Sequence, residues 1–486
     1  MAKEVRTRFA PSPTGYMHIG NLRTALYEYL IARSNGGKFI LRIEDTDRER
    51  YVEGATDIIF KTLEQTGISY DEGPGVGGDY GPYVQSERMG MYKQYAVKLV
   101  EMGKAYYCFC TKERLESIKG DVASQGDSLA YDRHCRDLSP EEVKANLDAG
   151  IPYVIRQKMP LDGTTTFTDA VYGDITVENK TLEDQILLKA DGMPTYNFAN
   201  VIDDHLMAIT HVVRGNEYLS STPKYNLLYE AFGWDIPTYV HCAPVMKDQH
   251  NKLSKRNGDA SFGDLLDKGF LAEAVVNYIA LLGWSPGGEQ EIYSLKELEE
   301  NFNIEGLSKS PSIFDPEKLR WMNSEYIRAL SPEKFAEVAA PWIKKALGDD
   351  VSEEMICKMA SLVQGRTEVL SDIPEKIGFF KELPSYDKEL YRHKKMKTDP
   401  ENSPEFLKIT REFIENYNGE WVSSALYQGL CDLAASKELK NGQILWPLRT
   451  ALSGLPASPG GATELAEILG KEETLKRIDI GLEILA

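Results

Sequence analysis

Residues 5–45 read VRTRFAPSPTGYMHIGNLRTALYEYLIARSNGGKFILRIED, and their punctuation decides the fold. Val5–Ala10 alternates as a strand does. Pro11, Ser12, Pro13, Thr14 and Gly15 break it. Leu22, Leu26, Tyr29 and Leu30 recur at helical spacing up to Asn35, Gly36 and Gly37. Phe39–Ile43 is a second strand, ending at Glu44 and Asp45. Strand, helix and strand in this order predict a parallel pair with a right-handed crossover. Such sheets bind ligands at the carboxyl ends of their strands. Ala10–His18 and Glu44 are therefore expected on one rim.

Outward from this unit the chain changes character. Around Asp71–Pro82 it becomes glycine-rich, and an irregular segment with Cys108 and Cys110 follows. We read about 70–195 as an insertion. Strand signal returns at His211–Arg214, and from about Glu317 the helical period dominates, carried by Leu319, Met322, Tyr326 and later Ile409, Phe413 and Tyr417. The last third is expected to be all-helical.

Composition bounds the class. A chain of 486 residues, 42% of them hydrophobic, is too long for one ordinary core. The opening Met-Ala-Lys-Glu-Val-Arg has no apolar run of the kind that directs secretion, and no stretch is long enough to span a bilayer. Six cysteines in such a chain fit a reducing cytoplasm, where paired cysteines more often bind metal than form disulfides. The net charge of −19 opposes nucleic-acid binding taken as a sum. Local potential decides, however, and basic clusters stand at Arg392–Lys397 and Lys252–Arg256. A bare cluster is more often a solvated charged face.

Gly73-Pro74-Gly75-Val76-Gly77-Gly78 fits a dinucleotide fingerprint by spacing alone. Such a motif must open a helix, and Asp79-Tyr80-Gly81-Pro82 cannot, so we read a loop. There is no Walker-type phosphate loop either. The string Pro11–Asn21 is more informative. Gly15 and Gly20 let backbone and ligand approach closely. His18-Ile19-Gly20 opens the helix, where free N–H groups and the helix dipole favour phosphate. A second string, Lys252-Leu253-Ser254-Lys255-Arg256, means little by itself as a basic pentamer but follows the first in an α/β chain.

Together these strings resemble the two signatures of class I aminoacyl-tRNA synthetases, HIGH and KMSKS, here as HIGN and KLSKR. Arg8–Gly15 and the helical last third are similar to the bacterial type of glutamyl-tRNA synthetase. The resemblance implies a Rossmann-type α/β catalytic core (1–70 and 195–260), a connective insertion on the acceptor-stem side (71–194), a stem-contact region (261–330) and an α-helical anticodon-binding domain (331–486). It implies ATP-dependent ligation of glutamate to tRNA-Glu through glutamyl-adenylate, with Mg²⁺ on the phosphates and a monomeric enzyme. Some relatives also charge tRNA-Gln. A paralogue that glutamylates queuosine in tRNA, or a catalytically dead tRNA-binding relative, would share the core. The former lacks the helical domain, and intact His18, Lys252 and Lys255 oppose the latter.

Residue by residue, the resemblance makes His18, Lys252 and Lys255 catalytic, and assigns His18, Gly20, Glu217, Lys252, Ser254 and Lys255 to ATP. Asn257-Gly258-Asp259 suggests a signature loop that closes over the nucleotide. Glutamate needs cations for two carboxylates and an acid for its ammonium. Arg8, Ala10, Ser12, Glu44, Tyr196, Asn200 and Arg214 match the family pattern for that site. Arg366 matches an anticodon contact.

The cysteines are the last candidates. Cys108-x-Cys110 followed by Tyr131, His134, Cys135 and Asp137 resembles a structural zinc site of the family. Asp137 stands where many relatives have histidine, and Tyr131 is the alternative fourth ligand, with His134 also in reach. Cys242, Cys357 and Cys431 are expected to be ordinary buried cysteines.

Overall fold

The computed structural model describes residues 3–46, 52–125, 131–253 and 261–486. The chain divides into two compact units, Met1–Leu266 with Val275–Asp315, and Asp267–Ala274 with Pro316–Ala486.

The first unit is built on two parallel strand pairs. Arg6–Phe9 runs parallel to Lys38–Leu41, and His211–Gly215 runs parallel to Thr238–Cys242. Thr210 joins the pairs, its N–H donating to the Arg6 carbonyl (2.9 Å) while its hydroxyl accepts from the Arg6 N–H (2.8 Å). The crossover between the first two strands is the helix Ile19–Ser34.

The first strand departs from the alternating pattern. All four residues of Arg6–Phe9 are buried. The strand is covered on both faces, and its arginines are tolerated because each is paired. Arg6 meets Glu72 at 2.8 Å, and Arg8 meets Glu28 and Asp204 at 2.9 Å. The crossover helix is likewise buried nearly all round, Arg23 and Glu28 included. Paired burial of this kind replaces the one-sided amphipathic face of a surface helix.

The region read as an insertion carries one further sheet and extends one of the core. Ala105–Cys108, Val154–Gln157 and Ile186–Leu188 pair antiparallel. Thr164–Asp169 and Gly173–Glu178 form a hairpin whose Asp169 bridges to Tyr239 of the core. Asp169 Oδ2 also lies 2.6 Å from His241 Nδ1, both side chains buried. The glycine string 73–78 lies in turns, as a loop reading requires.

The second unit is helical throughout its described secondary structure. One core gathers Phe335, Ile343, Met359 and Ile373, another Tyr391, Leu407, Leu448 and Leu465. Helix Ser403–Asn416 buries Phe406, Leu407, Thr410 and Ile414, one position off the Ile409–Phe413 stripe that the sequence suggests. No described helix is long and apolar enough to cross a membrane.

Candidate active site and metal-binding cluster

A cavity of about 380 Å³ opens at the carboxyl ends of the parallel strands. Phe9, Gly215 and Cys242, the last residues of three of them, line it. It brings together Arg8, Ala10, Ser12, His18, Gly20, Tyr196, Arg214, Glu217 and Lys252. Ser254 and Lys255 lie outside the described residues.

At one end His18 is the N-cap of the crossover helix, and its Nδ1 accepts from the Gly20 N–H at 3.0 Å. An accepting Nδ1 leaves the imidazole proton on Nε2, a donor suited to a phosphate oxygen. A Cβ at residue 20 would come within 3.2 Å of His18 Nδ1, so glycine there keeps the cap geometry open. Lys252 is exposed on the same cavity, just after a turn in which Asp248 accepts from the backbone of His250 and Asn251 at 2.9 Å. Glu217 is exposed too, its carboxylate folded against Gly215.

At the other end lies a buried charged cluster. Asp204 receives Arg8 Nε at 2.9 Å, Arg8 Nη2 at 3.2 Å and Arg42 Nη1 at 2.8 Å. Arg42 also donates twice to one oxygen of Glu44, at 2.9 and 3.2 Å. Burial alone would push Asp204 up, yet Arg8 and Arg42 hold its carboxyl down at about 2. Glu44 is raised, because burial outweighs Arg42. Its Oε2 has no hydrogen-bond partner.

Arg214 differs from its neighbours. It is 5% exposed and, among the described residues, has no ion pair. Its Nη2 donates to Asn200 Oδ1 at 2.8 Å, and Asn200 is fixed by donating to the Tyr196 carbonyl at 2.7 Å. Its guanidinium lies 4.9 Å from the Tyr225 ring centroid and 5.3 Å from that of Tyr218. Nε is buried without a partner. A buried cation held by stacking and one amide, with a polar cavity before it, has the chemistry to receive an anion.

Sequence reading missed Glu28, Arg42, Asp204 and Arg23. Arg23 ties the crossover helix to the carbonyls of Leu282 (2.7 Å) and Ala243, shaping the cavity wall. The detectable signal was a charged residue inside an apolar helical run, as at Arg23 and Glu28. Glu44 and Asn200 do not line the cavity but sit behind its arginines.

In the insertion, the sulfurs of Cys108, Cys110 and Cys135 all lie within 4.8 Å of one another. Tyr131 Oη is 3.2 Å from Cys108 Sγ and 3.8 Å from Cys110 Sγ. Asp137 is exposed and faces Lys158 at 3.6 Å, and His134 is exposed. Neither joins the cluster, so the phenol is the fourth group at the sulfurs. Three thiols and a phenol suit a tetrahedral zinc ion. The Arg156 guanidinium sits 3.9 Å from the Tyr131 ring centroid and Arg114 Nη1 lies 3.5 Å from Cys110 Sγ, both placed to offset the charge of ionised ligands. Of the other cysteines Cys242 is buried, Cys431 is half-buried and Cys357 is exposed, contrary to its expected burial.

In the helical unit Arg366 is exposed and bonds the Ser458 carbonyl at 2.5 Å. A separate cavity of about 830 Å³ is lined by Tyr427, Trp446 and Arg449. Arg449 lies 4.1 Å from the Trp446 ring, with Nε buried and unpartnered. His393 of the basic cluster is 4.1 Å from the same ring, while Arg392 is taken up by Glu389 at 2.7 Å.

Parallel strands, a histidine-capped crossover helix and a lysine-bearing loop around one polar cavity define a class I aminoacyl-tRNA synthetase. Residues 4–321 match the model for the catalytic domain of class I tRNA synthetases (E and Q), and 334–482 match an anticodon binding domain. The chain is 62% identical to the glutamate–tRNA ligase of Clostridium novyi (strain NT) over 483 residues, 99% of this chain and 98% of that one. It is 58% identical to that of Clostridium tetani (strain Massachusetts / E88), over 99% and 98%. The glutamate tRNA ligase of Elizabethkingia meningosepticum, solved in complex with its amino acid, superposes with a TM-score of 0.89 at 39% identity, covering all of both chains. The chain belongs to the bacterial glutamate–tRNA ligases, class I enzymes that use ATP to join glutamate to tRNA.

Proposed function

We propose that the cavity binds glutamate at its arginine end and ATP at its histidine end, and charges tRNA-Glu in two steps. Arg214, the buried guanidinium with no carboxylate of its own, is the observation that carries this reading. It takes one glutamate carboxylate, with Arg8, Ser12, Tyr196 and the Ala10 backbone completing the pocket and Asn200 holding Arg214 in place. Glu44, behind the arginines and with Oε2 unpartnered, is the acid assigned to the ammonium, which it would meet only if the side chains between them shift. The α-carboxylate oxygen attacks the ATP α-phosphorus, and the bond to pyrophosphate breaks. His18 and Gly20, with Lys252, Ser254 and Lys255, stabilise the charge that develops, while Glu217 supports the nucleotide. Mg²⁺ bound to ATP would neutralise its phosphates. The terminal ribose hydroxyl of the tRNA then takes the acyl group and AMP leaves. Catalysis comes from positioning and electrostatics, since no covalent enzyme intermediate is needed.

We assign the helical unit to the anticodon side, with Arg366 as one contact and the Trp446–Arg449 cavity as a stacking platform for a base. The reading includes a monomer in the cytoplasm. Cognate tRNA-Glu is its tRNA partner, and tRNA-Gln is the additional substrate to try. The test is glutamate-dependent exchange of pyrophosphate into ATP. It is expected near background without tRNA and to rise strongly with tRNA-Glu, because a ligand touching both units can favour the productive ATP pose. Robust exchange without tRNA would favour the queuosine-type paralogue instead.

The cysteine cluster is assigned to one structural zinc, held by Cys108, Cys110, Cys135 and Tyr131. Zinc would tie the strand end at Cys108 to the segment at Tyr131–Cys135. Purified protein is expected to carry about one zinc per chain, by ligand count. Cys108→Ser should lower that content and weaken charging more than activation, whereas Asp137→Ala should leave it unchanged. Protein prepared without chelators and found free of zinc would reject the site.

A further inference from the structure

Glu28 is a carboxyl with no role in the reading above. It lies on the crossover helix, 1% exposed, and lines the cavity. The Thr7 hydroxyl donates to its backbone carbonyl at 2.8 Å, fixing the helix at that point on the first strand. One carboxyl oxygen receives Arg8 Nη1 at 2.9 Å, and Oε2 is buried with no partner.

The buried cluster holds three guanidinium groups, Arg8, Arg42 and Arg214, against three carboxyls, Glu28, Glu44 and Asp204. Fully ionised it is neutral. Glutamate brings two carboxylates and one ammonium, so its entry would leave a net negative charge in a buried site, which is costly. One carboxyl must give way. Asp204 accepts three N–H bonds and Glu44 two, whereas Glu28 accepts one. Glu28 is the least compensated anion of the three.

We infer that Glu28 is a positioning residue that holds Arg8 through one oxygen and carries a proton on the other when the anionic amino acid is bound. The inference rests on the assignment of this pocket to glutamate. Protonated Glu28 still orients Arg8 through its carbonyl oxygen, but no longer competes with substrate for the guanidinium charge.

The groups that act on Glu28 do not titrate beside it. Arg8 on the first strand, Asp204 on Tyr196–Leu206 and Arg214 on His211–Gly215 act on it. Cys242 on Thr238–Cys242 is pushed up to about 12 by burial and stays neutral. Asp204 at about 2 stays ionised. Glu299, on the neighbouring helix Leu295–Asn301, meets Tyr29 at 2.5 Å instead. Burial raises the Glu28 carboxyl to about 8, with Arg8 only partly opposing it. An anionic ligand raises it further. Affinity is then greatest below that value and falls as pH rises through it.

The experiment is calorimetry of L-glutamate binding to the full chain, in two buffers of different ionisation heat. Near pH 8, where Glu28 is about half protonated, binding should take up a fraction of a proton. Affinity should fall about fourfold from about pH 7 to about pH 8.5. Glu28→Gln, which copies the protonated shape, should show no proton uptake and a flat profile over the range in which the wild type titrates. L-Glutamine, lacking the second negative charge, should drive no uptake in the wild type. A flat wild-type profile without proton uptake overturns the inference, as does uptake that persists in Glu28→Gln. If Glu28→Gln does not fold, the wild-type uptake decides alone. Failure of L-glutamate to bind at any pH overturns the pocket assignment and this inference with it.

Discussion

Arg214→Ala is expected to lower kcat/KM for glutamate by roughly 30- to 4,000-fold while the protein stays folded. Truncating one partner of a buried charged hydrogen bond costs about 2–5 kcal/mol, much of it from the charge left behind. Each 1.4 kcal/mol is about a factor of ten. Arg214 is a cleaner probe than Arg8 because, among the described residues, it makes no direct ion pair. Its removal vacates one bond to Asn200 and its contacts with Tyr218 and Tyr225. Arg8→Ala, by contrast, would strip Glu28 and Asp204 of a shared partner and destabilise the fold. Steady-state kinetics with a circular-dichroism control checks the expectation. The loss should appear in glutamate KM and kcat/KM, with ATP KM little changed. A folded variant within tenfold of wild type would remove Arg214 from the glutamate pocket.

How far the sequence led can be judged at particular residues. Strand, break and helix over 5–34 were legible because punctuation by Pro11–Gly15 and Asn35–Gly37 is local chemistry. The burial of Arg6 and Arg8 was not legible, since it depends on Glu72 and Asp204, distant in sequence. For the same reason Arg42 and Asp204 went unread while Arg8 and Arg214, embedded in motifs, did not. The second strand ends at Leu41, two residues before the expected Ile43. Asp137 was placed at the cysteines because it stands where many relatives have histidine. The turn at Tyr131–Cys135 points the phenol inward instead, its Oη accepting the Cys135 N–H at 3.2 Å. Cys357 lies on the solvent side of helix Glu353–Val363, whose buried residues are Ile356, Met359, Ala360 and Val363.

The second large effect concerns the choice of amino acid, and it follows from the same guanidinium groups. Glutamine matches glutamate in shape but turns a neutral carboxamide toward cations that cannot accept a hydrogen bond. Its –NH₂ would face the donors of Arg8 or Arg214, leaving buried N–H groups unpaired. Sites built to hydrogen-bond a substrate group reject an analogue that fails to answer it by roughly 10⁴-fold. The measurement is charging of purified tRNA-Glu with radiolabelled glutamate or glutamine, using tRNA with an intact or a periodate-oxidised 3′ ribose. Glutamate should attach to the intact tRNA in an ATP-dependent, alkali-labile linkage, with glutamine lower by about 10³- to 10⁴-fold in kcat/KM. Oxidised tRNA should accept nothing. Comparable charging with glutamine, or glutamate transferred equally to the oxidised tRNA, would contradict ligation of glutamate at the 3′ end of tRNA-Glu.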